Sequence, residues 1–110
     1  MPHIPVNTFF SADLWINNLT CRYCVYTSPA TTALVYYTPW YANDGVSKEF
    51  GPRYYEQSFS IPPIKQWGEY SFRWTGGAHI SGRYIFTIIV DPDNLIGARR
   101  VSKGEFYIDR

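Results

Sequence analysis

The sequence predicts an all-β, single-domain antiparallel β-sandwich of about seven strands, and three observations support this fold class. Apolar and polar residues alternate along several short segments, which turn residues separate at a spacing of about a dozen residues. None of these segments carries the period of about 3.6 residues that is expected of an amphipathic helix. The chain has 110 residues, a common size for one domain and enough to bury a core without metals or cross-links.

Each predicted strand is a short segment rich in β-forming residues. In the first, residues 9–17, Leu14 and Ile16 point to one face, whereas Asp13 and Trp15 point to the other. Because part of this segment could instead open a helical turn, the strand is the preferred interpretation and not the only one. The remaining strands are expected at residues 20–27, 33–38, 53–61, 69–75, 83–90 and 104–109.

Glycine, proline and short polar residues mark the turns between these strands. Pro62 and Pro63 end the fourth strand, because proline has no backbone N–H to donate to a ladder. Gly76 and Gly77 are predicted to turn the chain between the fifth and sixth strands. The Asp-Pro-Asp-Asn segment at residues 91–94 is expected to stop the sixth strand.

Composition and charge narrow the possible functions. Apolar residues make up 45% of the chain and charged residues 17%, which is typical of a globular protein. The formal net charge is +1, whereas nucleic-acid-binding proteins normally carry a basic excess. We see no signal-peptide pattern and no apolar run of transmembrane length. We therefore expect no nucleic-acid partner, no membrane insertion, and a cytoplasmic or unconventionally secreted protein.

Aromatic residues are more abundant than a core of this size requires. They make up 19% of the chain, including four Trp and ten Tyr, and at protein surfaces Tyr and Trp are enriched in recognition sites. Trp74 lies on the apolar face of the fifth strand, together with Tyr70 and Phe72, so we assign it to the core. Trp15 and Phe9 lie on the other face of the first strand, and we predict that they form a subunit interface.

The turn after the third strand is the strongest candidate for a ligand site. Trp40 and Tyr41 lie there beside an Asn-Asp-Gly turn signal. Flat rings can pack on the C–H faces of a sugar, while Asn43 and Asp44 hydrogen-bond to its hydroxyls. Trp67, in the connection before the fifth strand, is a second candidate stacking ring. For Trp40, a core position beneath the turn is the competing interpretation.

The sequence offers little support for metal, cofactor or catalytic chemistry. Cys21 and Cys24 have the spacing of a redox or zinc pair, but their flanks are strand-like and no second Cys pair exists. Residues three apart on a strand face opposite sides, so we expect two ordinary thiols. The sequence shows no Ser, His and acid motif and no phosphate-binding glycine loop. We therefore predict no cofactor, no metal site and no enzymatic activity.

Two blocks of the sequence resemble the fungal immunomodulatory proteins, which are small fungal fruiting-body lectins. One is Tyr-Thr-Pro-Trp at residues 37–40, and the other is Val-Asp-Pro-Asp-Asn at residues 90–94, before a final Phe-Tyr-Ile strand. The chain departs from the family at Tyr36, where an acid is usual, and in lacking the family's amphipathic N-terminal helix. The resemblance implies an immunoglobulin-like or fibronectin-III-like sandwich, carbohydrate binding, agglutinating or immunomodulatory activity, and a homodimer.

Two function hypotheses from different classes remain open. The first is a non-enzymatic, lectin-like protein that binds glycans or glycoproteins and gains avidity through homodimerisation. The second is a structural or interaction β-sandwich whose exposed aromatic residues form a protein–protein interface. Stacking on single-stranded nucleic acid is a weaker possibility, because the net charge is close to zero. A glycan array and a measurement of oligomeric state would distinguish the two main hypotheses.

Overall fold

Seven strands and one short 3-10 helix form the regular structure of the computed structural model, which describes residues 2–18, 27–42 and 51–110. In chain order the strands are β1 (His3–Pro5), β2 (Thr8–Asn17), β3 (Thr31–Pro39), β4 (Tyr54–Ile61), β5 (Glu69–Ala78), β6 (Gly82–Val90) and β7 (Arg100–Asp109). The 3-10 helix, Trp40–Ala42, directly follows β3. No helix within these ranges is long and apolar enough to cross a membrane.

The described strands form a sandwich of one larger and one smaller sheet. The larger sheet has the order β1-β7-β6-β3-β4, and the smaller one pairs β2 with β5. All the described pairs are antiparallel except β1 with β7, which is parallel and places His3 opposite Tyr107. The sandwich is therefore antiparallel, as predicted, except for this one parallel pair at the edge. β1 was not predicted, because three residues that include a proline are too short to show alternation.

The other strand predictions can be compared directly with the structure. β2 to β7 confirm six predicted strands, with ends that differ by a few residues. Residues 20–26 of the remaining predicted strand, together with Cys21 and Cys24, lie outside the described residues. Asn43 and Asp44 of the predicted ligand site also lie outside them.

The prediction that Gly76 and Gly77 form a turn is wrong. Both glycines belong to β5, where they pair with Phe10 and Phe9 of β2. A Cβ atom at Gly76 would come within 2.5 Å of the Trp74 ring, so the close approach of this ring requires a glycine. At Gly77 a Cβ atom would meet the Tyr55 hydroxyl at 2.5 Å. These glycines therefore make room for rings within a strand.

The core lies between the inner faces of the two sheets and is mostly aromatic. Trp74 is fully buried, and its Nε1–H donates to the backbone oxygen of Tyr55 at 2.9 Å. Its ring meets that of Phe86 nearly edge-on, with the ring centroids 4.9 Å apart. The core cluster to which Trp74 belongs also contains Val35, Tyr37, Phe106 and Ile108, and Phe10, Leu14 and Phe72 pack against this cluster. The assignment of Trp74 to the core is confirmed.

The central strands of the larger sheet are also buried on their outer face. On this face Tyr36 and Thr38 of β3 lie beside Ile85 and Thr87 of β6, and each is less than a tenth exposed. The Arg53 guanidinium lies 4.3 Å from the centroid of the Tyr36 ring. The smaller sheet differs, because the residues of its outer face are exposed.

Candidate functional site

The aromatic residues predicted to bind a ligand lie at opposite ends of β3. Trp40 and Tyr41 follow the end of β3, where Pro39 is paired with Tyr84. The backbone N–H of Trp67 donates to the Asn18 oxygen at 2.8 Å, next to the start of β3. The described residues therefore do not form a single site containing Trp40, Tyr41 and Trp67.

One face of the Trp40 ring is covered by an arginine. The Arg83 guanidinium lies 4.4 Å from the ring centroid and donates to Glu105 Oε2 at 2.7 Å. The hydrogen bond to Glu105 raises the pKa of Arg83 above its ordinary value. Trp40 is still 45% exposed and Tyr41 is 76% exposed. A ligand at this end would meet Tyr41 and the uncovered face of Trp40.

Trp67 is a more accessible ring on an unusual backbone. Its φ angle is +62°, a left-handed conformation that is rare for a bulky residue. Backbone hydrogen bonds hold this connection, because Asn18 N–H donates to Gly68 O at 3.0 Å and Gly68 N–H to Lys65 O at 2.8 Å. The Asn18 side chain also donates to Ile64 O at 2.8 Å. The Trp67 side chain is 58% exposed.

The two predicted interface residues share one exposed surface. Phe9 and Trp15 lie on the outer face of β2 and are 79% and 62% exposed. Between them, Arg73 Nε of β5 donates to Asp13 Oδ1 at 2.8 Å. This hydrogen bond, reinforced by the charge of Arg73, lowers the pKa of Asp13. We call this surface, formed by Phe9, Ser11, Asp13, Trp15, Ser71 and Arg73, the aromatic face.

A groove of about 640 Å³ opens between the sheets, where β2 ends and β7 begins. Its apolar lining includes Trp15, Ile16, Ile61, Ile64, Ile88 and Val90. Exposed Arg99 and Arg100 contribute cationic groups to the same lining. We call it the interlayer groove. This groove was not predicted, because its walls come from strand ends that are far apart along the chain and no local pattern marks them.

Asp91 holds the loop that forms one wall of the interlayer groove. It is 2% exposed and has a left-handed φ of +51°. Its carboxylate accepts backbone N–H groups from Leu95 at 2.9 Å, Ile96 at 3.2 Å and Ala98 at 3.0 Å. Burial opposes its ionisation, but these bonds and one from the Thr31 hydroxyl prevail, so the pKa of Asp91 is lowered. The predicted turn after β6 is confirmed.

The described ranges contain no group of three or more His, Cys, Asp or Glu side chains placed to hold a metal ion. The Tyr55 hydroxyl and His79 Nε2 form a hydrogen bond near the surface. Burial raises the pKa of Tyr37, whose hydroxyl donates to Gly77 O inside the core.

The architecture defines an immunoglobulin-like β-sandwich. Among solved structures, the chain is similar to the CARDB domain of a Pyrococcus furiosus protein, which was solved in complex with di-metal ions. The two share 16% sequence identity and a TM-score of 0.62, over 97% of this chain and 84% of that one. This likeness shows an immunoglobulin-like fold of the CARDB type, which confirms the predicted immunoglobulin-like sandwich; the CARDB type was not predicted. No family model and no curated protein matches the sequence, so the resemblance to fungal immunomodulatory proteins stays a prediction.

Proposed function

We propose that the chain is a non-enzymatic binding module that associates with a second copy of itself through the aromatic face. The observation that carries this proposal is the exposure of Phe9 and Trp15 on one face of one strand. Trp is enriched among the residues that dominate the energy of protein–protein interfaces. The proposal selects the interaction-module hypothesis and gives it a second copy of the chain as its partner, whereas the sequence predicts a homodimer for the lectin-like hypothesis.

The chemistry of the aromatic face favours a second copy as the partner. Asp13 and Arg73 pair with each other, so the middle of this surface carries no excess charge. The two aromatic side chains lie toward opposite ends of β2. A two-fold axis across the middle of the strand therefore brings Phe9 of each copy against Trp15 of the other. The same surface then serves both protomers.

Sedimentation velocity over a concentration series tests this association. We expect the wild type to dimerise, and Trp15→Ala to weaken the dimer about tenfold or more, since truncation of an interface hot spot costs more than about 1.4 kcal/mol. Phe9→Ala is expected to act in the same direction. Trp67→Ala is the matched control, since that ring is similarly exposed but lies off the aromatic face. A wild type that stays monomeric at high concentration contradicts the proposal.

Carbohydrate binding is the second candidate, and one observation favours Trp67 as its stacking residue. The backbone of Trp67 has a left-handed conformation, and strained backbone conformations of this kind cluster at ligand sites. The polar groups of Glu69 and Lys65 are close to it in sequence. Trp40 and Tyr41, at the other end of β3, remain the alternative site, and Asn43 and Asp44 remain its polar contacts predicted from the sequence. Glycans or glycoproteins are the proposed ligands.

A glycan array followed by titration of tryptophan fluorescence tests the sugar-binding candidate. Binding that Trp67→Ala abolishes and Trp40→Ala preserves supports the Trp67 site. The reverse result supports the site formed by Trp40 and Tyr41. If no glycan binds, or if both variants bind as the wild type does, stacking at these rings is excluded. Titration of Trp15→Ala with the same glycan separates sugar binding from dimerisation, because this variant is expected to weaken the dimer and not the sugar site.

A further inference from the structure

The edge strand β7 is only partly covered by its neighbour. β1 pairs with it at Tyr107, Ile108 and Asp109, and no other described strand pairs with this edge. The first half of β7, from Arg100 to Gly104, is exposed throughout. A sheet edge of this kind presents a row of backbone donors and acceptors that can pair with another strand.

The existing contacts with β1 identify which residues face this edge. Tyr107 N–H donates to Pro2 O at 3.0 Å, and Asp109 O accepts from Val6 N–H at 2.7 Å. Backbone groups of alternate residues point to the same side of a strand. Since the pairing of β7 with β6 has no register shift, Val101, Lys103 and Glu105 point their backbone groups to the open edge.

The interlayer groove lies beside this open edge. Arg100 and Ser102 of β7 line it, together with Ile88 and Val90 of β6. A Cβ atom at Gly104 would meet nothing within 4 Å, so the inner face next to the edge has room. An added strand would place alternate side chains into this apolar space, while its other side chains face solvent.

Charge indicates the kind of strand that fits. The open stretch contains or adjoins three cationic residues, Arg99, Arg100 and Lys103. Its acidic residue, Glu105, already forms an ion pair with Arg83. A second β7 strand, placed antiparallel about Lys103, would bring two lysines opposite each other, which is unfavourable. The same positive charges attract a strand that carries Asp or Glu.

We propose that the β7 edge at residues 101–105 binds an extended acidic peptide, which pairs with the edge as an added strand and inserts apolar side chains into the interlayer groove. This form of recognition takes its affinity from main-chain hydrogen bonds and its specificity from alternate side chains. It goes beyond the proposed self-association and uses another surface, although Trp15 lines the groove as well. Phe9→Ala and substitutions at Lys103 therefore separate the two proposals.

Binding is tested with a fluorescein-labelled peptide of eight residues that alternates valine with glutamate. Fluorescence polarisation with the full chain should show saturable binding, and a matched peptide of valine and lysine should bind about tenfold more weakly or not at all. On adding the acidic peptide, amide hydrogen exchange should slow about tenfold at Val101, Lys103 and Glu105. Ser102 and Gly104, whose amides face β6, should not change. Absence of binding, or protection elsewhere only, overturns the proposal.

Two substitutions at Lys103 separate the backbone contribution from the charge. Lys103→Thr removes the charge and keeps the N–H, and we expect binding to weaken about threefold. Lys103→Pro removes the charge and also the N–H that points to the open edge, but it leaves the hydrogen bonds between β7 and β6 intact. We expect this variant to bind the acidic peptide about tenfold more weakly than Lys103→Thr does. If the folded proline and threonine variants bind equally, main-chain pairing at this position is disproved. If the proline variant does not fold, the exchange pattern of the wild type decides.

Discussion

The two sheets of the sandwich differ in how much of their surface they leave to solvent. In the larger sheet the central strands β3 and β6 are buried on both faces, and Thr38 and Thr87 on the outer face are 0% exposed. In the smaller sheet Trp74 on the inner face is 0% exposed, whereas Trp15 on the outer face is 62% exposed. The larger sheet is thus buried through its centre, whereas the smaller sheet leaves the aromatic face to solvent.

This difference has a basis in the sequences of the strands. β6 is an almost continuous apolar run, which is typical of a strand covered on both sides. From Phe9 to Asn17 exposed and half-buried residues alternate along β2, which is typical of a strand with one solvated face. We therefore expect substitutions at doubly buried or inner positions to change stability, and substitutions on the aromatic face to change association. Four comparisons of variants test this division.

The largest stability effect is expected on the inner face of the smaller sheet. The Cβ atom that Gly76→Ala adds would lie 2.5 Å from the Trp74 ring if nothing moved, so the ring or the backbone must shift. Overpacking of this kind costs about 1–3 kcal/mol of unfolding free energy. Gly104→Ala is the matched control, since its Cβ atom meets nothing within 4 Å. Urea unfolding of both variants measures the difference, and equal stability would show that the Trp74 ring does not require the glycine.

A smaller but pH-dependent loss is expected at the end of β6. The pKa of Asp91 is lower in the folded state than in the unfolded state, where it is about 4. The ionised carboxylate therefore stabilises the folded state above about pH 4, and this stability is lost as the pH falls through the folded pKa. Asp91→Asn keeps a residue that tolerates positive φ and removes the charge. Urea unfolding should find the variant less stable at pH 7, with the difference shrinking below about pH 4. A difference that is constant with pH contradicts this assignment.

A small effect of the opposite sign is expected on the buried outer face of the larger sheet. The Thr87 hydroxyl is buried and has no hydrogen-bond partner within the described ranges, and burying such a group costs free energy. Thr87→Val keeps the shape and removes the hydroxyl, so stability should rise by up to about 1 kcal/mol. Thr75→Val on the exposed face of β5 is the control, and it should change stability little. A clear loss at Thr87 would mean that its hydroxyl does have a partner.

The sequence allowed much of the fold to be predicted, but less of the candidate site. Alternation of residue types predicts β2 and β5, because each strand has one solvent-exposed face and one face that packs on the core. The prediction of a turn at Gly76 is wrong, because this glycine makes room for the Trp74 ring, a contact that the sequence does not reveal. The covering of Trp40 was not foreseeable either, since Arg83 belongs to another strand. Local patterns report local burial, whereas the groove and the covered ring depend on which strands pair.

The smallest effect is expected from the ion pair on the aromatic face, and salt separates it from the effect at Asp91. Arg73 lowers the pKa of Asp13, so this pair also stabilises the folded state above about pH 4 and is lost as the pH falls. Both side chains are more than half exposed, so solvent and salt screen them. Asp13→Asn should therefore cost less stability at pH 7 than Asp91→Asn, and 1 M salt, at which the Debye length is about 3 Å, should remove most of this cost. The cost of Asp91→Asn should persist, because the Asp91 side chain is buried and its carboxylate is held by short hydrogen bonds from backbone N–H groups of the same loop. Equal salt sensitivity at the two sites would contradict this difference between an exposed ion pair and a buried carboxylate.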